Sequence, residues 1–131
     1  MKKDNQKSQI VIYKAENGQV KIDVRFENET VWLTQNALAE LFQTTKQNIG
    51  QHIKNILEER ELSENSTVKK FFTVQKEGLR EVSREIEYYN LDLIISVGYR
   101  VKSSVATAFR QWATAHLKEY IVKGFVLDDD R

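Results

Sequence analysis

The sequence predicts an α+β fold, a helix-turn-helix of winged type with short β-hairpins and a long C-terminal helix. Three observations carry this prediction. Asn17-Gly18 separates two β-rich runs; the stretch Thr34 to Ile56 reads as two short amphipathic helices across a polar break; and apolar residues recur at helical spacing from Phe109 to Ile121.

In chain order, Ile10 to Tyr13 and Val20 to Phe26 flank Ala15-Glu16-Asn17-Gly18, and Asn-Gly between such runs signals a hairpin; Thr30 to Leu33 adds a third short strand. The helix-turn-helix is placed at 32–57. Its first helix puts Leu38, Leu41 and Phe42 on one face, with Thr34 as N-cap and Leu33 with Leu38 as a hydrophobic staple. Its second puts Ile49, Ile53 and Ile56 on one face, with Thr44 and Gln47 as a capping box, while Gln43 occupies the turn position where Gly is common. A second hairpin, wing-like and placed at 69–84, is predicted from Phe71 to Gln75 and Leu79 to Ser83 around Lys76-Glu77-Gly78. A helical support, and candidate dimerisation region, is placed at 90–124. There Asn90 caps a helix over Leu91 to Val97, Gly98-Tyr99-Arg100 reads as a break, and Ser103 or Ser104 caps the long helix. Phe109, Trp112, Ala113, His116, Leu117, Tyr120 and Ile121 form its apolar stripe, and Gly124 is its stop. His116 on that stripe reads as a packed histidine, and the aromatics read as core or subunit interface, because they follow helical spacing.

One domain over 1–131 suits a chain with 40% hydrophobic residues. The absence of Cys removes disulfides, thiol nucleophiles and Cys-based zinc sites together. A polar N-terminus and no apolar run of membrane-spanning length predict a cytoplasmic protein. None of the five glycines belongs to a phosphate loop, no serine sits in a nucleophile elbow, and His52 and His116 have no metal-binding partner pattern. Asp128 to Asp130 reads as a solvated terminal run rather than a cation site. The expectation is therefore a binding protein, not an enzyme, with no cofactor and no metal.

A net charge of +1 offers no global argument for nucleic acid, so the case rests on segregation of charge. Thr44 to Lys54 holds only positive charge, Glu58 to Glu64 is mostly acidic, and Ser66 to Arg84 is basic again. On the second helix Thr45, Lys46, Gln47, Gly50, Gln51 and Lys54 are the residues expected to read DNA. Gln amides can pair with an adenine edge, Lys can reach guanine or phosphate, and Gly50 permits close backbone approach. Lys76 and Arg80 on the second hairpin are expected to hold phosphates. The same helix face also fits an ordinary solvated surface, and a protein-protein interaction module using that face or the Glu58 to Glu64 stretch is the alternative.

The runs VWLTQNALAELF (Val31 to Phe42), HIKNILEERELSENS (His52 to Ser66), TVQKEGLREVSREIEYYNLDLIISVGYRVKS (Thr73 to Ser103) and FRQWATAHLKEYIVKGFVLDDDR (Phe109 to Arg131) resemble the virulence protein RhuM family. YNLDLIISVGYRV and FRQWAT are the most specific of them. The N-terminal region of that family is related in style to phage antirepressor domains. The resemblance implies a DNA-binding transcription regulator, or antirepressor-like protein, of a bacterial chromosome or mobile element, with double-stranded DNA as partner. It also implies that this chain is the N-terminal fragment of a longer protein, with a further C-terminal domain; and because symmetric operators are commonly read by dimers, the long helix Ser104 to Lys123 is the candidate for self-association as a homodimer. Some relatives carry a Fic-like domain marked by His-Pro-Phe; neither His52 nor His116 is followed by Pro-Phe.

Overall fold

Alternation in the β-rich runs gives each strand one apolar face. In β2 (Lys21–Glu27) Ile22, Val24 and Phe26 are buried, while the residues between them stay at least partly exposed. The computed structural model describes residues 8–15 and 18–129, with side chains described as far as residue 119. β1 (Gln9–Lys14) pairs antiparallel with β2, joined by a turn whose Glu16 and Asn17 lie outside the described residues and whose Gly18 has φ 76°. β3 (Thr30–Thr34) returns beside β2 through Asn28 and Glu29, which hold φ 57° and 62°, the pair of positive values a two-residue primed turn requires. β4 (Val68–Glu77) and β5 (Arg80–Asn90) form a long hairpin turned by Gly78 and Leu79, with Gly78 at φ 65°. β3 also pairs with β5, so the two hairpins join in one antiparallel sheet ordered β1-β2-β3-β5-β4. The described residues thus form a five-stranded sheet and five helices, an α+β fold.

Thr34 ends β3 and starts α1 (Gln35–Phe42): its Oγ1 accepts the Ala37 N–H at 3.0 Å. Leu38, Leu41 and Phe42 of α1 are buried against the sheet's apolar face. α2 (Lys46–Glu58) then packs on α1 and on α4 (Leu91–Arg100) through Ile49, Ile53 and Ile56. A single turn, α3 (Glu64–Thr67), leads into β4. Asn90 ends β5 and caps α4, accepting the Leu93 N–H at 3.1 Å, and Ser103 Oγ accepts the Val105 N–H at the start of α5 (Val105–Asp129). Phe109 and Ala113 of α5 are fully buried, and Trp112 lies edge-on to Tyr13 at 4.9 Å. His116 is half-buried against Trp112, with ring centroids 4.6 Å apart, as its place on the stripe predicts. The side chains of Tyr120 and Ile121 lie outside the described residues. No helix among the described residues is long and apolar enough to cross a membrane.

Three local expectations change. Gly98-Tyr99-Arg100 is not a break: α4 runs through it, and Gly98 is buried where an added Cβ would lie 2.5 Å from Ala106 Cβ and 3.0 Å from Phe42 Cζ. The glycine is there for close packing of α4 on α1 and α5. Gly124 does not stop α5, which continues to Asp129. The second hairpin is longer than predicted, 68–77 and 80–90 instead of 71–75 and 79–83, because backbone pairing of β4 with β5 runs unbroken from Val68–Tyr89 to Glu77–Arg80 through residues whose own pattern does not alternate.

Two substitutions test this packing. Gly98→Ala is expected to destabilise the fold by about 1–3 kcal/mol through overpacking. Gln43, the left-handed C-cap of α1 at φ 54°, should give the reverse result. Gln43→Gly removes a Cβ from that conformation and is expected to stabilise by up to about 1 kcal/mol. Chemical denaturation of both variants reads the two signs.

Candidate nucleic-acid interface

α2 packs on α1 and α4, and its two faces differ sharply. The isoleucines point inward; Lys46, Gln47, Gln51 and Lys54 are exposed on the other side, and Gly50 is partly exposed. Between Lys46 and Leu57 the helix carries no carboxylate. The N-cap is Thr45, one residue later than the predicted box of Thr44 and Gln47: Thr45 Oγ1 accepts the Asn48 N–H at 3.0 Å, and Asn48 Nδ2 donates to Thr44 Oγ1 at 2.9 Å. Spacing alone could not choose between adjacent threonines. Gln51 Nε2 donates to Asn55 Oδ1 at 3.1 Å, which orients one of the two outward amides one turn along the helix.

Sequence reasoning passed over Gln35. Its Nε2 donates to the Lys46 carbonyl at 2.8 Å and lies 2.7 Å from where a Cβ on Gly50 would be. The amide of α1 therefore braces the first turn of α2, and the bare backbone at Gly50 leaves room for it. A small residue facing a long amide across two helices has no signature at local spacing.

The other expected contacts, Lys76 and Arg80, sit at the far end of the β4–β5 hairpin, and no hydrogen bond or ion pair links them to α2 among the described residues. In register Lys76 lies opposite Glu81 and Arg80 opposite Glu77, and Arg84 forms an ion pair with Glu77 at 2.6 Å. Residues 72–87 hold three cations and four carboxylates, so this arm is less basic than the predicted basic stretch Ser66 to Arg84. The acidic stretch after α2 is partly occupied from within. Arg100 donates to Glu59 at 2.7 Å and to Glu61 at 2.9 Å, and Ser96 Oγ donates to Glu61 at 2.9 Å. The Arg100 guanidinium, and after it the Ser96 hydroxyl, hold the Glu61 carboxyl below its ordinary value of 4.5.

Removing the α2 cap by Thr45→Ala is expected to cost about 1 kcal/mol, read as a lower melting temperature. For Glu61, whose folded-state pKa is lowered, the Arg100 contact stabilises the fold above the ordinary value of 4.5 and is lost as pH falls through the lowered folded value. The stability difference between wild type and Arg100→Met, measured by denaturation at neutral and acid pH, should therefore shrink below pH 4.5.

No curated protein and no solved structure matches the chain. A family model, described as virulence protein RhuM family, matches residues 66–131, which is half of the sequence and contains β4, β5, α4 and α5, leaving α1 and α2 outside the match. Through that half the chain belongs to the virulence protein RhuM family.

Proposed function

We propose that this protein binds double-stranded DNA sequence-specifically, as a transcription regulator or antirepressor-like protein of the cytoplasm. In this reading α1, the turn 43–45 and α2 form a helix-turn-helix, and the β4–β5 hairpin is its wing. The observation that carries it is the outward face of α2: two lysines and two glutamines with no carboxylate among them, on a helix held from behind by three buried isoleucines. Gln47 and Gln51 supply paired donors and acceptors for base edges in a major groove, and Lys46 and Lys54 supply charge for guanine or phosphate. Thr45 at the helix start puts the positive end of the helix dipole toward the backbone. Lys76 and Arg80 add phosphate contacts that fix register, at lower strength than α2 because carboxylates are interleaved with them. Two copies would read a symmetric site. Within α5, Phe109 and Ala113 pack into the protein's own core, with Trp112 and Leu117 partly buried against it, so a dimer contact in the region 90–124 would use other residues of that region.

The exposed Phe72, Val74 and Leu79 of the arm favour a second reading, an interaction module for another protein. Fluorescence anisotropy on a random-sequence duplex separates the two. Lys46→Glu with Lys54→Glu is expected to abolish duplex binding and leave the melting temperature near wild type, with the wild-type log–log salt slope growing by roughly −0.9 for each phosphate neutralised. Unchanged binding by the double variant overturns the DNA reading.

A further inference from the structure

Where β3 turns into α1, the sheet loses its middle strand. β3 pairs with β2 only from Arg25–Trp32 to Glu27–Thr30, and with β5 only from Trp32–Asn90 to Thr34–Tyr88. Past Thr34, β2 continues over Lys21–Val24 with β1 on one side alone, and β5 continues over Arg80–Glu87 with β4 on one side alone. The inner edges of the two hairpins therefore face each other across a cleft, each with a row of backbone N–H and C=O groups that meets no further strand among the described residues. A strand between two neighbours occupies roughly 10 Å, twice the inter-strand spacing.

The cleft has a volume of ≈730 Å³ and reaches from Lys21 and Asp23 on β2, past Thr34 and Asn36 at the exit of β3, to Ile86 and Tyr88 on β5. This is within the range of ligand sites, about 300–1,000 Å³. Three features describe what fits it. Arg25 Nε and Thr73 Oγ1, both in its lining, are buried with no hydrogen-bond partner among the described residues, which calls for an occupant with its own carbonyl and amide groups. The arm side alternates apolar Phe72 and Val74, respectively 69% and 68% exposed, with polar Thr73 and Gln75. The charged residues balance, Lys21 and Arg25 against Asp23 and Glu40, so the field favours neither a polyanion nor a polycation. The Arg25 guanidinium lies over aromatic rings, its Cζ 4.1 Å from the centroid of Phe71 and 5.3 Å from that of Tyr88, which holds the side chain in place while its buried Nε has no acceptor among the described residues.

We infer that the cleft between the two hairpins is a binding site for an extended peptide segment of a partner protein, uncharged and alternating in apolar side chains, which enters as an added strand. Unpaired strand edges recognise main chain, and Phe72 and Val74 of the arm select alternate side chains. A neutral occupant matches the neutral cleft. The site is separate from α2, although it shares the β4–β5 hairpin with the phosphate contacts proposed for Lys76 and Arg80.

The test pans a displayed random-peptide library on the whole chain and titrates the strongest binder as a labelled free peptide. The expected result has two parts. Amide hydrogen exchange slows on peptide addition at inner-edge positions of Lys21–Val24 and Arg80–Glu87, and N-methylation of the peptide backbone weakens binding about tenfold or more, the loss that goes with a removed buried hydrogen bond. Arg25→Ala and Thr73→Val should weaken the same peptide, and Lys46→Glu with Lys54→Glu should not, whatever that variant does to DNA. Because N-methylation alters only the peptide, the test stands even if an Arg25 variant fails to fold. A library without binders, or a binder whose protection lies elsewhere, overturns the proposal. So does a chain whose inner edges become protected without peptide as concentration rises and a dimer forms, since a second copy is then the occupant.

Discussion

The exit of the chain from the sheet at Thr34 is the constraint on which the rest depends. Up to Leu33 the chain is a buried central strand; one residue later its hydroxyl satisfies the Ala37 N–H and the path turns into α1. That single hydrogen bond, worth about 1 kcal/mol at a helix cap, sits where two structural outcomes meet. α1 is aimed across the apolar face, and the sheet beyond this point is left as two hairpins with a gap between them. Leu33 and Leu38, on either side of the turn, are both fully buried, so the turn is anchored from each flank.

From α1 the construction proceeds outward by layers. Leu38, Leu41 and Phe42 seat the helix on the sheet, Gln43 turns the chain in a left-handed conformation, and the Gln35 amide then catches the Lys46 carbonyl of α2. α2 is thus held by a hydrogen bond at its start and by three isoleucines along its length, each contributing about 1.5–3 kcal/mol on burial. Its outer face contributes nothing to this packing. Side chains there are not constrained by the core, so the acid-free face is carried on a helix whose position is already fixed from behind.

Much of this plan was legible in the chain because its signals are local. Thr34 and Asn90 cap the helices they were expected to cap, the period of the isoleucines named the buried face of α2, and Asn-Gly marked the first hairpin. What escaped depends on contacts distant in sequence. Gly98 looks like a helix breaker until Ala106 and Phe42 are seen to occupy the space its Cβ would need. Gln43, at the turn position where glycine is common, takes the left-handed conformation at φ 54° itself, whereas Asn28 with Glu29 makes a tight turn without a glycine to mark it. The joining of two hairpins into one sheet through β3, and with it the cleft, follows from strand order, which alternation within single strands cannot reveal.

Near-neutral net charge conceals an uneven distribution, and ion pairing shows how. Lys69 meets Glu27 at 3.2 Å, Arg84 meets Glu77, and Arg100 meets both Glu59 and Glu61. These cations belong to the sheet, the arm and α4, and each is spent on a neighbour that fixes local geometry. Lys46 and Lys54 have no such ion pair among the described residues, and the nearest carboxylates along α2 come only at its end, at Glu58. Surface pairs of this kind contribute little to stability, about 0–1 kcal/mol each, so their main effect is to remove positive charge from those regions of the surface. On α2 no such pair removes the charge of Lys46 and Lys54 among the described residues, so their field acts at short range, within the roughly 8 Å that physiological salt leaves unscreened. A chain with a charge of +1 can in this way present one cationic helix, and the location of that helix matters more than the total.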